Sequence, residues 1–221
     1  MIDFHTHTFL SDGALSPAEH VRRAYVAGYK ILGITDHVDF SNIEFVFEGL
    51  KRCAEETKGS GWDIEVIPGV EITHVPAKKI EKIVNMARDL KIPLIIVHGE
   101  SPVEPVEQGT NRAAIETGVD ILAHPGLIKD EDAIRAKEMG VYLEITAKRG
   151  HGMANGHVAK LCDLYGCKTI LSSDAHIHTE FLNENTARTV LKGSGMSDAQ
   201  YGSINLNLSE LYEKVKLKFK I

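Results

Sequence analysis

Short apolar runs alternate along this chain with amphipathic stretches, and each amphipathic stretch ends at a glycine or a polar break. Apolar or extended segments fall at residues 2–7, 30–37, 64–73, 93–98, 120–124, 141–146 and 168–173. Residues 93–98 are nearly all apolar, as expected of a strand buried on both faces. Between the strands, Ser16-Pro17-Ala18-Glu19 reads as a helix start, with serine as the cap, proline at the first position and glutamate closing a capping box. That helix ends at Gly28. Further helices are predicted at residues 44–58, 76–91, 111–117, 131–139, 156–165 and 185–192, with a charged C-terminal helix at 208–219. The third is anchored by Ile80, Ile83, Val84, Ala87 and Leu90 at helical spacing. Pro68-Gly69 marks a bend within the third strand.

A unit of strand, loop, helix and glycine repeated about seven times implies a parallel sheet in an α/β fold. Several strands end in a metal-ligating side chain: Asp36-His37, Glu71, His98, His124 and Asp174-Ala175-His176. Closed (β/α) barrels keep their chemistry at the C-terminal ends of the strands. A TIM-barrel-like (β/α)7 barrel is therefore preferred to an open doubly wound sheet, and no Gly-x-Gly-x-x-Gly loop speaks for a dinucleotide. No linker or low-complexity run divides the 221 residues, so a single domain over 1–221 is expected.

Composition narrows the partners. A formal charge of −6 argues against a broad nucleic-acid-binding surface, while leaving room for a local basic pocket. No apolar run reaches membrane-spanning length, and because the strand pattern begins at once no signal peptide is expected. The three cysteines, Cys53, Cys162 and Cys167, suit buried free thiols in a reducing cytoplasm. The eleven histidines are the telling surplus. On a strand His5 and His7 project from one face and supply half of a metal site. Together with the strand-end residues they form a mixed imidazole–carboxylate set, which suits Zn²⁺, Mn²⁺ or Fe²⁺ better than Mg²⁺ or Ca²⁺. Two such metals about 3.5–4 Å apart polarise a phosphoryl oxygen and bring a bridging water to a pKa of about 7, so no serine or cysteine nucleophile is needed.

With these residues in order, the chain resembles the polymerase-and-histidinol-phosphatase (PHP) superfamily of metal-dependent phosphoesterases over nearly its whole length. The motifs are His5-Thr6-His7, Thr35-Asp36-His37, His98, His124 and Asp174-Ala175-His176, with Glu71 between them. The resemblance implies a distorted (β/α)7 barrel holding two to three metals. One would take His5, His7, Glu71 and Asp174; a second would share Glu71 as a bridge and take His98 and His124; a third would take Asp12, His37 and His176. Asp12 departs from the family pattern, because many relatives carry histidine in that loop. Glu71 and Asp174 are the expected catalytic carboxylates. The implied reaction is a histidinol-phosphatase-like hydrolysis of a small phosphorylated metabolite. The rival readings are a phosphodiesterase or nuclease, and a non-catalytic RNA-binding subunit of ribonuclease P type. A non-phosphate amidohydrolase would usually bring a bridging lysine where His98 ends the fourth strand.

The loop from Lys148 to His157 follows the sixth strand and faces the same end. It is read as a phosphate clamp, with Arg149 offering paired donors ahead of Lys148 and His151, and the helix start near Gly156 adding backbone N–H groups. Asp36 is read as supporting the site, His20 as a solvated helix position, and His74 and His178 as possible lining or plain loop residues. Glu144 either faces the mouth or supports the loop. Lys214, Lys216, Lys218 and Lys220 span too little chain for an RNA-binding patch.

Overall fold

The computed structural model describes residues 1–218. Its strands are β1 (Ile2–Asp3), β2 (Ile31–Ile34), β3 (His37–Val38), β4 (Glu65–Ile72), β5 (Leu94–His98), β6 (Ile121–Ala123), β7 (Tyr142–Thr146) and β8 (Thr169–Ser172). All join one sheet in chain order and every pairing is parallel. The predicted second strand is broken into β2 and β3. Both pair with β4, β2 against Glu65–Pro68 and β3 against Glu71 and Ile72. The change of partner falls at Pro68-Gly69, where the bend was expected. Counting the two pieces as one strand gives the distorted seven-strand barrel.

No ladder joins β8 to β1. The gap is closed beyond both strands by a parallel bridge between Thr6 and Ala175. There the N–H of Asp174 donates to His5 O at 3.0 Å, and that of His7 to Ala175 O at 2.9 Å. Asp3 pins the seam from beneath, its carboxylate accepting the N–H groups of His5 (3.1 Å) and Ser173 (3.0 Å). Burial raises the Asp3 carboxyl to about 6. At Gly33 a side chain is impossible without movement: a Cβ would lie 2.7 Å from the backbone of Phe4, just past the end of β1.

The helices are α1 (Pro17–Val26), α2 (Ile43–Thr57), α3 (Ile80–Asp89), α4 (Thr110–Glu116), α5 (Asp130–Met139), α6 (Asn155–Tyr165), α7 (Glu184–Gly193) and α8 (Asp198–Lys218). Ser16 caps α1 by accepting from the Glu19 N–H at 3.3 Å, but the Glu19 side chain turns to Arg23 and leaves the capping box half made. Helix α8 begins at Asp198, well before the predicted 208, because Ile204, Leu208, Leu211 and Val215 form one buried stripe that the polar residues between them hide. Its predicted end at Phe219, and Lys220, lie outside the described residues. Lys214 and Lys218 pair with Asp120 at 3.1 and 2.7 Å. Of the cysteines, Cys162 is buried while Cys53 and Cys167 are half-buried. No helix among the described residues is long and apolar enough to cross a membrane.

His20 departs from the solvated position expected of it. It shares the inward face of α1 with Val21 and Ala24, is fully buried, and packs 4.9 Å from the Phe181 ring with neither nitrogen hydrogen-bonded. Burial lowers its pKa to about 4. The ring is therefore neutral in the fold until well below the pH at which the unfolded chain takes up a proton. Stability is complete above about pH 6.5 and drains as pH falls toward 4. In metal-free protein, unfolding free energy should drop between pH 7.5 and 5 by about 2 kcal/mol more in wild type than in His20→Leu. Denaturant titrations at the two pH values measure it; equal slopes would refute a neutral buried His20.

Candidate metal centre

The strand ends bring the predicted ligands together in the barrel mouth. His5 and His7 follow β1, both fully buried, with ring centroids 4.9 Å apart. Glu71 comes from β4, where it is the register partner of His37. Its Oε2 lies 3.1 Å from His5 Nε2, 3.5 Å from His7 Nε2 and 2.8 Å from His37 Nδ1; its Oε1 lies 3.6 Å from His124 Nε2. Opposite stands Asp174, with Oδ1 3.2 Å from His7 Nε2 and Oδ2 3.7 Å from His124 Nε2. Asp12 reaches His176 Nε2 at 3.2 Å and His37 Nε2 at 3.6 Å. Their donor atoms, together with one of His7, form a compact group. His124 (φ 25°) and Asp174 (φ 53°) both hold left-handed backbone, a conformation that costs roughly 1–3 kcal/mol and here turns their side chains inward.

The residues fit divalent metal ions on two observations. His5 Nε2, both nitrogens of His7, both oxygens of Glu71, Asp174 Oδ1 and His124 Nδ1 are buried without a hydrogen bond. Each such group costs about 1–3 kcal/mol unless something absent from the polypeptide satisfies it. The separations of His5 Nε2 and His7 Nε2 from Glu71 Oε2 and Asp174 Oδ1, 3.1–3.8 Å, are also close to those of donors sharing an ion. With bonds of about 2.0–2.2 Å, tetrahedral ligands lie about 3.3–3.6 Å apart.

Electrostatics point the same way. Burial works against the charged form of His5, yet Glu71, Glu144 and Asp174 outweigh it and hold the imidazolium well above its usual range. Burial, reinforced by neighbouring imidazoles, pushes His7 and His124 well below theirs. Glu71 stays ionised against burial because His5 and His37 face it, whereas burial lifts Asp174 to about 7. Without an ion the array cannot all be charged or all neutral.

A surrounding layer fixes the rings. Glu144 points into the barrel: its Oε1 contacts His5 Nδ1 at 2.7 Å and its Oε2 accepts the His124 N–H at 2.8 Å. That contact leaves His5 Nε2 as the free donor. Asp36 accepts from the Thr8 N–H (2.8 Å), the Thr8 hydroxyl (2.7 Å) and the Ser11 hydroxyl (2.6 Å), tying down the loop that carries Asp12.

The phosphate-clamp residues part company. Lys148 Nζ lies 2.7 Å from His176 Nδ1 and 3.1 Å from Glu180 Oε2. Arg149 is exposed and has no partner among the described residues. His151 opens a tight 3₁₀ turn instead of a free loop, and its ring packs 4.2 Å from that of His124. Helix α6 follows from Asn155, whose side chain is spent on Thr146. His178 is exposed. His74 Nε2 lies 3.6 Å from Glu104 Oε2. Glu104, which sequence reasoning missed, also reaches His98 Nε2 at 3.2 Å and His151 Nε2 at 3.4 Å. Its one sequence signal is a place in the loop after His98.

A parallel α/β barrel with a buried histidine–carboxylate array at its mouth defines the structural class. The chain belongs to the PHP domain family, whose model matches residues 3–115. It is 46% identical over 199 residues to an uncharacterised protein of Methanocaldococcus jannaschii, covering 90% of this chain and 91% of that one. It is 27% identical over 242 residues to a protein of Clostridium botulinum named as a probable phosphatase, covering 100% and 96%. Among solved structures, a chain of archaeal ribonuclease P with mature tRNA matches with a TM-score of 0.68 at 19% identity, covering 97% and 90%. A chain from the metal-dependent tyrosine phosphatases YwqE of Bacillus subtilis and CpsB of Streptococcus pneumoniae matches with a TM-score of 0.60 at 19% identity, covering 98% and 93%. At such identities the two structures bear on the fold alone.

The geometry sets a ranking. Glu71 faces four imidazoles, whereas Asp12 faces two from a half-exposed position at the rim. Glu71→Gln should therefore release more metal than Asp12→Asn, measured by elemental analysis of protein purified without chelator. Equal metal content in the two variants would contradict the central place of Glu71.

Proposed function

We propose that this chain, acting as one PHP domain over residues 1–221, is a metal-dependent phosphomonoesterase that hydrolyses a small phosphorylated metabolite. The observation that carries the reading is the convergence of Glu71 and Asp174, each within 4 Å of several imidazoles, with both Glu71 oxygens and Asp174 Oδ1 buried without a hydrogen bond. Family membership and the relatives named as phosphatases support the general class, a hydrolase of phosphoric esters.

In this reading two to three divalent transition metals, Zn²⁺, Mn²⁺ or Fe²⁺, occupy the mouth. His5, His7, Glu71 and Asp174 hold one; Glu71, His98 and His124 hold a second; Asp12, His37 and His176 hold a third. When bound, such ions supply Lewis-acid polarisation of the phosphoryl group and acidify water. The chain's own residues do the rest. Glu144 holds the His5 ring in one tautomer. The buried strand ends keep bulk water from the array, and Arg149 grips the phosphate from the rim. Arg149 suits that role because its loop is fixed on both sides, by Lys148 at His176 and by His151 at His124, while its guanidinium stays uncommitted among the described residues. A small substrate is favoured over a long polyanion by the chain's formal charge of −6.

Metal-reconstituted protein screened for phosphate release against phosphomonoesters and phosphodiesters tests the class, and turnover of diesters alone would replace it with the nuclease reading. On a responsive monoester, Arg149→Ala should lower kcat/KM by roughly ten- to a thousandfold with metal content intact. Arg149→Lys should recover part of that, because an ammonium cannot reproduce the planar fork. Wild-type kinetics in both variants would place the phosphate grip elsewhere.

A further inference from the structure

We propose that Glu104 and His151 complete the metal position of Glu71, His98 and His124, adding a third imidazole and a second carboxylate, the latter from the loop between β5 and α4. The inference rests on the metal-centre reading above and adds two ligands that the strand-end pattern does not contain.

The geometry around Glu104 repeats that around Glu71. Its Oε2 lies 3.2 Å from His98 Nε2 and its Oε1 lies 3.4 Å from His151 Nε2. These separations are close to the roughly 3.3–3.6 Å between tetrahedral ligands of a transition metal. His98, His124 and His151 each bring a donor atom to within 4.8 Å of the others. His98 Nδ1 is engaged with the Gly99 carbonyl at 2.9 Å, which leaves Nε2, the nitrogen facing Glu104, as its metal donor. His151 is only 8% exposed and its Nδ1 has no hydrogen bond, an unusual state for a residue in a surface loop. The two loops are also packed together: a Cβ on Gly150 would meet Val103 at 3.3 Å, so the segments carrying Glu104 and His151 hold each other in register.

The competing account is that Glu104 only orients the His98 and His151 rings as a hydrogen-bond acceptor. Glutamine separates the two. Glu104→Gln keeps an acceptor oxygen of the same reach, so an orienting role survives it. An uncharged carboxamide is a far weaker ligand for a divalent ion than a carboxylate, so a ligating role does not. Co²⁺-loaded wild type, Glu104→Gln, Glu104→Ala and His151→Ala should be titrated with a chelator, following metal release and the visible cobalt spectrum. We expect one metal equivalent to leave both Glu104 variants and His151→Ala at about tenfold or more lower chelator than wild type. Its cobalt bands should change, and the other equivalents should be unaffected. A Glu104→Gln titration and spectrum that match wild type overturn the proposal, whether or not Glu104→Ala is weakened. Wild-type protein that takes up no cobalt overturns both this inference and the metal-centre reading; cobalt uptake with an unaffected Glu104→Gln overturns only the added ligands.

Discussion

The structure depends on one buried, ionised carboxylate. Glu71 has no solvent exposure, and both oxygens lack a hydrogen bond while imidazoles crowd within 3.6 Å. Taking a carboxylate out of water costs several kcal/mol even after the protein relaxes around it. The barrel meets that demand by directing positive or metal-binding groups at Glu71 from β1, β3 and β6. β4 must therefore run unbroken past Pro68-Gly69, changing partner from β2 to β3, so that Glu71 falls beside His37.

The same demand explains the irregular seam. A regular ladder between β8 and β1 would bury the backbone of both strands but leave no reason for their ends to turn inward. Instead His5, His7 and Asp174 close the barrel through their own N–H and carbonyl groups. Asp3 anchors the seam beneath, and the left-handed turn at Asp174 rotates its carboxylate toward His7. Fold closure and site assembly are thus one set of contacts, and strain at the seam is offset by the buried apolar residues around it, such as Phe4, Leu32 and Ile67.

Around this floor the rim is uneven. Toward β2 and β8, Asp12, His37 and His176 sit part-exposed, and Lys148 bridges His176 to Glu180. Toward β5 and β7, Glu104 gathers His74, His98 and His151. Arg149, between Lys148 and His151 in the chain, is an exposed cation without a partner among the described residues.

What the sequence determined by itself was the repeat and the strand-end chemistry. Strand and helix periods are local, so the barrel class and the places of His5, His7, Glu71, His98, His124 and Asp174 were legible from side-chain spacing. The break between β2 and β3, the full burial of His20 and the early start of α8 were not, because each is set by what packs against the element. The contacts of Glu144 with His5 and of Glu104 with His98 and His151 likewise required the fold. Glu144 and His5 are 139 residues apart in the chain. Glu104 carries no periodic signal in its loop, which is fixed in the fold by Val103 against Gly150 and by Glu100 accepting the N–H groups of Gly109 and Asn111. Local propensity decides which segment a residue belongs to. Which donors face one another is decided when the sheet closes, because closure alone sets distances between residues that share no local periodicity.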